Sequence, residues 1–172
     1  MAMKVIENKA LLLTLRDPRK VTSVIPKSKS LTANKVLVNW GLEETHVLKN
    51  LNIKAPSPIS TRYDWTGKYS PMSHQKTTSE FFTMNKRAFC FNEQGKTASA
   101  IWAADYLMKN NYIRRALVIC PLSIMDSAWR EDLFTFAMHR TVDIAYGAAK
   151  KRREIINSDV DFVIINYDGV EI

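Results

Sequence analysis

The stretch that most constrains this chain is residues 87–109, RAFCFNEQGKTASAIWAADYLMK. An apolar run from Arg87 to Phe91 stops at the polar turn Asn92-Glu93-Gln94-Gly95, Lys96-Thr97 follow, and an apolar segment continues to Met108. Strand, glycine turn, Lys-Thr and helix in that order predict a phosphate-binding loop. The first N–H groups of a helix lack internal partners and carry partial positive charge, so they receive an anion. The full eight-residue loop has a glycine five positions before Gly95, where this chain has Cys90. Aligned instead from Asn92, the loop is two residues short, about 7 Å of extended chain. An isolated Gly-Lys-Thr is equally an ordinary helix start, so the neighbouring segments have to decide.

Those neighbours alternate. Ala116 to Cys120 is a continuous apolar run closed by Pro121, as in a strand buried on both faces. Ser123 to Ala137 predicts a helix whose inner face is Ile124, Trp129, Leu133 and Phe136. Thr141 to Tyr146 alternates as a strand, Ala148 to Ile156 is a short basic helix, and Asp161 to Asn166 is another buried strand. Residues 72–85 predict a helix capped by Ser73. Strands separated by helices predict an α/β fold with a parallel sheet flanked by helices over 72–172.

The N-terminal part differs. Residues 10–15, 21–25 and 35–40 predict short strands and 43–51 a helix, giving a small basic α+β module over 1–53. Residues 54–71 carry three prolines and no periodicity, and predict a linker that packs through Tyr63, Trp65 and Tyr69. Formal net charge is +8, and residues 1–70 hold twelve basic against five acidic side chains. That excess suits a polyanion, with plain solubility as the alternative. Arg16, Arg19 and Lys20 are candidate phosphate-backbone contacts. Cys90 and Cys120 lie in apolar runs without metal-ligand spacing, and no apolar run approaches a membrane span. The reading is a reduced, cytoplasmic protein without a signal peptide.

Four segments carry a family resemblance: Tyr69-Ser70-Pro71-Met72-Ser73-His74-Gln75, Asn92 to Thr97, Cys120-Pro121-Leu122-Ser123 with Trp129 and Glu131, and Ile165-Asn166-Tyr167-Asp168. In this order they resemble the start of the first motor domain of a superfamily-two helicase, most similar to Swi/Snf-like helicases of bacteriophages. The resemblance implies a partial RecA-like sheet, preceded by an accessory module. It implies that Gln75 reads adenine, that Gly95, Lys96 and Thr97 hold ATP with Thr97 on Mg²⁺, and that Ser123 meets a nucleic-acid phosphate. Asn166 to Asp168 corresponds to the segment after the fourth strand. The family's Asp-Glu pair and second motor domain lie outside the matching stretch. The expectation is an N-terminal fragment of a DNA helicase or translocase. Alone it would be inactive in hydrolysis, and it could associate with itself through uncovered apolar surface. Two other readings remain: a non-catalytic DNA- or protein-binding relative with a defective phosphate loop, and an unrelated P-loop kinase.

Overall fold

A computed structural model of the chain describes residues 2–92 and 94–170. They form two compact units, Met1–Asp64 with Thr83–Lys86, and Trp65–Phe82 with Arg87–Ile172. The division at Asp64 falls inside the proline-rich stretch read as a linker.

The first unit is an antiparallel sheet. Strands β1 (Ala2–Ile6), β2 (Ala10–Thr14), β3 (Lys29–Thr32) and β4 (Lys35–Asn39) lie in the order β1-β2-β4-β3. Glu7 and Asn8 take left-handed backbone in the first turn, which suits the twist of the strands they join. Leu11 pairs with Val38 and Leu13 with Val36, and all four are fully buried on one face. Two helices, α1 (Arg19–Thr22) and α2 (Leu42–Asn50), bring Val21 and Leu48 onto that face beside Ile25, Trp40 and Ile53. Residues 21–25 therefore do not form the predicted strand. Pro18 starts a helical turn, accepting the N–H of Val21 and of Thr22, and Val21 and Ile25 become one-face neighbours four residues apart. Over five residues, alternation and a helical spacing look alike. Strands β1 and β3 escaped prediction because their side chains are exposed or half-buried and leave no apolar rhythm. Within the proline-rich stretch a single turn, α3 (Ile59–Arg62), buries Ile59, and Tyr63 is buried directly after it. Tyr69, predicted to pack, is exposed, with Lys68 over its ring.

The second unit is α/β. Helices α4 (Ser73–Met84) and α5 (Lys96–Lys109) precede three parallel strands, β5 (Ala116–Cys120), β6 (Val142–Ala145) and β7 (Phe162–Asn166), ordered β5-β7-β6. Helix α6 (Glu131–Phe136) lies between β5 and β6, and α7 (Ala149–Ile156) between β6 and β7. Strand β7 is buried along its whole length. Its Phe162 and Ile164 pack with Ile101 and Met108 of α5 and Leu133 of α6, while Val163 and Ile165 pack with Ile155 of α7. Helices thus flank both faces, as a parallel sheet requires.

Three local expectations are corrected here. Strand β5 is not buried on both faces: Val118 and Cys120 point into the core, but Leu117 is 59% and Ile119 44% exposed. Among the described residues the α7 cluster takes in β6 and β7 but not β5. Residues 87–91 form no strand, because an apolar run needs a partner edge, and this one runs outside the sheet. The predicted helix from Ser123 is a 3₁₀ turn (Leu122–Ile124), a π-helical stretch (Met125–Arg130) and α6. The wider turn changes the inner face, so Met125 and Leu133 are buried and Ile124 is exposed. Trp129 and Phe136 pack half-buried on the same core. No helix among the described residues is long and apolar enough to cross a membrane.

Candidate phosphate-binding site

Helix α5 starts at Gly95, whose φ of 76° and ψ of 11° are left-handed. Glycine accepts that conformation without a Cβ penalty. A Cβ here would lie 2.5 Å from Gln75 Nε2, the end of a flexible side chain that would have to move aside. The structure therefore brings Gln75 and Gly95 together. No side chain caps the helix at Gly95, and no acidic residue lies in its first turn. The first N–H groups of α5 are set up for an anion.

The surrounding bonds fix this corner. Gln75 Oε1 accepts the Met72 N–H at 2.9 Å, and Met72 O accepts the Lys76 N–H. This is half of a capping box with Met72 at the cap, so Ser73 is the first helical residue and not the predicted cap. The Ser79 hydroxyl reaches the carbonyls of Gln75 at 2.9 Å and Ser99 at 3.0 Å, and Ser99 Oγ donates to Gly95 O at 2.9 Å. Asn92 Nδ2 donates to Thr78 Oγ1 at 2.6 Å, tying the loop to α4. Lys96 Nζ folds back and donates to Asn92 O. Thr97 is half-buried in the first turn. Glu93, which enters the predicted loop, lies outside the described residues.

A short turn joins α5 to β5, so the helix runs back along the sheet and its start lies at the edge where the strands end. That edge also carries the 3₁₀ turn holding Ser123, which is exposed, and the Asn166–Asp168 turn, where Asn166 Nδ2 donates to Asp168 Oδ2 at 3.3 Å. Ligands of open parallel sheets bind at this end. Ser123 sits inside its turn and does not cap a helix; its carbonyl accepts Ser127 Oγ at 3.2 Å.

The residues fit a bound phosphate at Gly95, Lys96 and Thr97. Among the described residues no three His, Cys, Asp or Glu side chains gather to hold a metal ion. A Mg²⁺ would therefore depend on Thr97 and on the phosphates themselves. In the first unit, Arg16 and Lys20 line a cleft of about 370 Å³ with Leu15, Asp17, Leu51 and Ile53. Arg19 is exposed on the same turn, and its N–H donates to Asp17 Oδ1.

Comparison with known proteins separates fold from family. No protein-family model and no curated protein matches the chain. A solved structure does match: the Sulfolobus solfataricus SWI2/SNF2 ATPase core in complex with dsDNA. The two share 26% sequence identity and a TM-score of 0.51 over 60% of this chain. This chain is similar to part of a SWI2/SNF2 ATPase core. It spans 23% of that structure's length. The likeness agrees with the superfamily that the four segments resemble, and with the α/β architecture.

Proposed function

We propose that the chain is the N-terminal part of an ATP-dependent DNA helicase or translocase of the Swi/Snf-like, bacteriophage type. The observation that carries this reading is the start of α5, left-handed at Gly95, uncapped, and with the Gln75 amide against it, in a fold similar to a SWI2/SNF2 ATPase core. The N–H groups of α5 and Lys96 would hold the phosphates, Thr97 would hold Mg²⁺, and Gln75 Nε2 would meet the adenine. Bound ATP supplies the phosphoryl group whose transfer drives the motor in the full-length protein. Ser123 would contact a DNA phosphate at the strand-end edge, and Arg16, Arg19 and Lys20 would add backbone contacts from the first unit.

The test is equilibrium binding of a fluorescent ATP analogue with Mg²⁺. Lys96→Ala is expected to weaken binding about tenfold, the loss of one charge-assisted contact. Equal affinities in the native and variant chains would overturn the reading.

A second reading has its own support. Lys96 Nζ is engaged by Asn92 O, and residues 87–91 stand outside the sheet. A non-catalytic relative that binds DNA or a partner protein would show salt-sensitive DNA binding with no nucleotide binding at all.

A further inference from the structure

Helix α7 carries a cluster of positive charge that the fold itself does not use. Lys150, Lys151, Arg152 and Arg153 follow one another at its start, and no acidic residue lies in its first turn. A helix start is already partly positive, so cations there repel it, and an anion would relieve the repulsion. Lys150, Lys151 and Arg153 are exposed, while Arg152 is half-buried with its Nε enclosed and unbonded. Among the described residues none of the four pairs with a carboxylate, not even with Glu154, one turn on from Lys150. The apolar side of the helix is committed, because Ile155 and Ile156 pack on Val163 and Ile165 of β7. A helix lying on a membrane would need that side free. The basic side is left for an anion from solution.

Its place in the sheet says which anion fits. Strand β6 ends at Ala145 and α7 begins at Ala149, so the cluster stands at the edge where the strands end. Tyr146, between them, is 52% exposed, and Tyr167, directly after β7, is 62% exposed. Ser123 follows β5 at the same edge. Strand order β5-β7-β6 sets Ser123, Tyr167 and then Tyr146 with α7 in a row across three strand ends. Two inter-strand gaps make that row about 10 Å long. One strand of a duplex rises by about three nucleotides over such a length. At Gly147 no heavy atom lies within 4 Å of where a Cβ would stand, so the backbone there is open to close approach. The acids of this edge have partners of their own: Asp126 pairs with Arg130 and Asp168 accepts the Asn166 amide. Hydroxyls and cations in a row are the groups that meet phosphate and sugar.

We propose that the start of α7, together with Tyr146 and Tyr167, binds the phosphate backbone of double-stranded DNA. A duplex carries a phosphate for about every 1.7 Å of its axis, twice the charge density of one strand, and suits a run of adjacent cations. The proposal rests on the DNA part of the functional reading above. It adds a contact surface that extends across the sheet end from Ser123.

The test is fluorescence anisotropy of the chain with a labelled DNA duplex over a range of salt concentrations. Lys150→Gln/Lys151→Gln/Arg153→Gln removes three charges and keeps good helix formers. Its plot of log affinity against log salt should be shallower by about two to three units. Between about 50 and 200 mM salt the native chain should then lose about fortyfold more affinity than this variant. The variant should melt no lower than the native chain, since it loses cations from the positive end of a helix. Lys150→Arg/Lys151→Arg should keep the native slope. Tyr146→Phe/Tyr167→Phe should weaken binding with the slope unchanged, because only uncharged donors are lost. Duplex binding by the glutamine variant with the native affinity and slope would overturn the α7 contact and leave the functional reading standing. Absence of duplex binding by the native chain would overturn both. Displacement of the duplex by polyglutamate as effectively as by unlabelled duplex at equal charge would assign the cluster to an acidic protein and overturn the DNA assignment.

Discussion

At the residue scale, two glycines carry different constraints. Gly95 is left-handed and faces the end of a flexible side chain, Gln75. Gly67 has φ of 114°, and a Cβ there would lie 2.6 Å from Phe136 Cα and Thr135 O, which are backbone and cannot yield. Gly95→Ala should therefore cost about 1–2 kcal/mol, mostly from its backbone conformation. Gly67→Ala should cost more, and a Gln75→Ala background should soften only the Gly95 variant. Urea denaturation midpoints check both. Asp105 is the sharper case. Its buried carboxylate accepts Arg140 Nε at 2.5 Å and pairs with His139 Nε2 at 2.8 Å, while Arg140 also reaches Asp161 at 3.3 Å. Asp105→Ala would leave the mostly buried Arg140 with Asp161 as its remaining carboxylate partner and cost about 2–3 kcal/mol, measured by the same method. An acid inside the apolar helix Ala103-Ala104-Asp105-Tyr106 was a visible signal of this network, and it went unread. The helix start at Gly95 was legible because a glycine ahead of a long apolar segment announces it. The strand expected over 87–91 does not form, since an apolar run gives no indication whether a partner edge exists.

At the element scale, α2 offers a pH test. Burial of His46, reinforced by Lys49 and then Lys86, lowers its pKa below the ordinary 6.5. The folded state thus favours the neutral ring, and below pH 6.5 the unfolded chain binds the proton more readily. Stability should fall as pH drops from 6.5 through the lowered value. His46→Gln should flatten that slope in thermal melts taken across this range. The elements themselves were legible where periodicity was long or apolar runs were framed by turn residues, as in α5, β4 and β7. The helix after Pro121 was not, because a π-helical stretch shifts the spacing on which periodicity depends, and no residue type marks such a turn in advance. The short α1 was lost to alternation that fits either structure.

At the scale of the whole molecule, the α/β class was legible from the alternation of elements alone, and the sheet has the predicted parallel sense. Sheet order was not legible, because spatial neighbours depend on which edges remain available after each crossover. One consequence is that β5 ends the sheet with an open edge and two exposed apolar side chains, Leu117 and Ile119. Such an edge invites pairing with a second copy. Sedimentation velocity should show mass rising with concentration, and Leu117→Lys/Ile119→Lys should suppress the rise.

The two buried indoles give the chain an optical property of its own. Trp40 belongs to the first unit, where its Nε1 donates to Pro56 O at 2.9 Å. Trp102 belongs to the second, where its Nε1 donates to Thr66 O at 2.8 Å and its ring meets Trp65 and Phe136 edge-on. Each unit therefore contains its own chromophore shielded from water. Emission should shift to longer wavelength as each core opens, and a Trp40→Phe variant would leave the spectrum to the second unit alone.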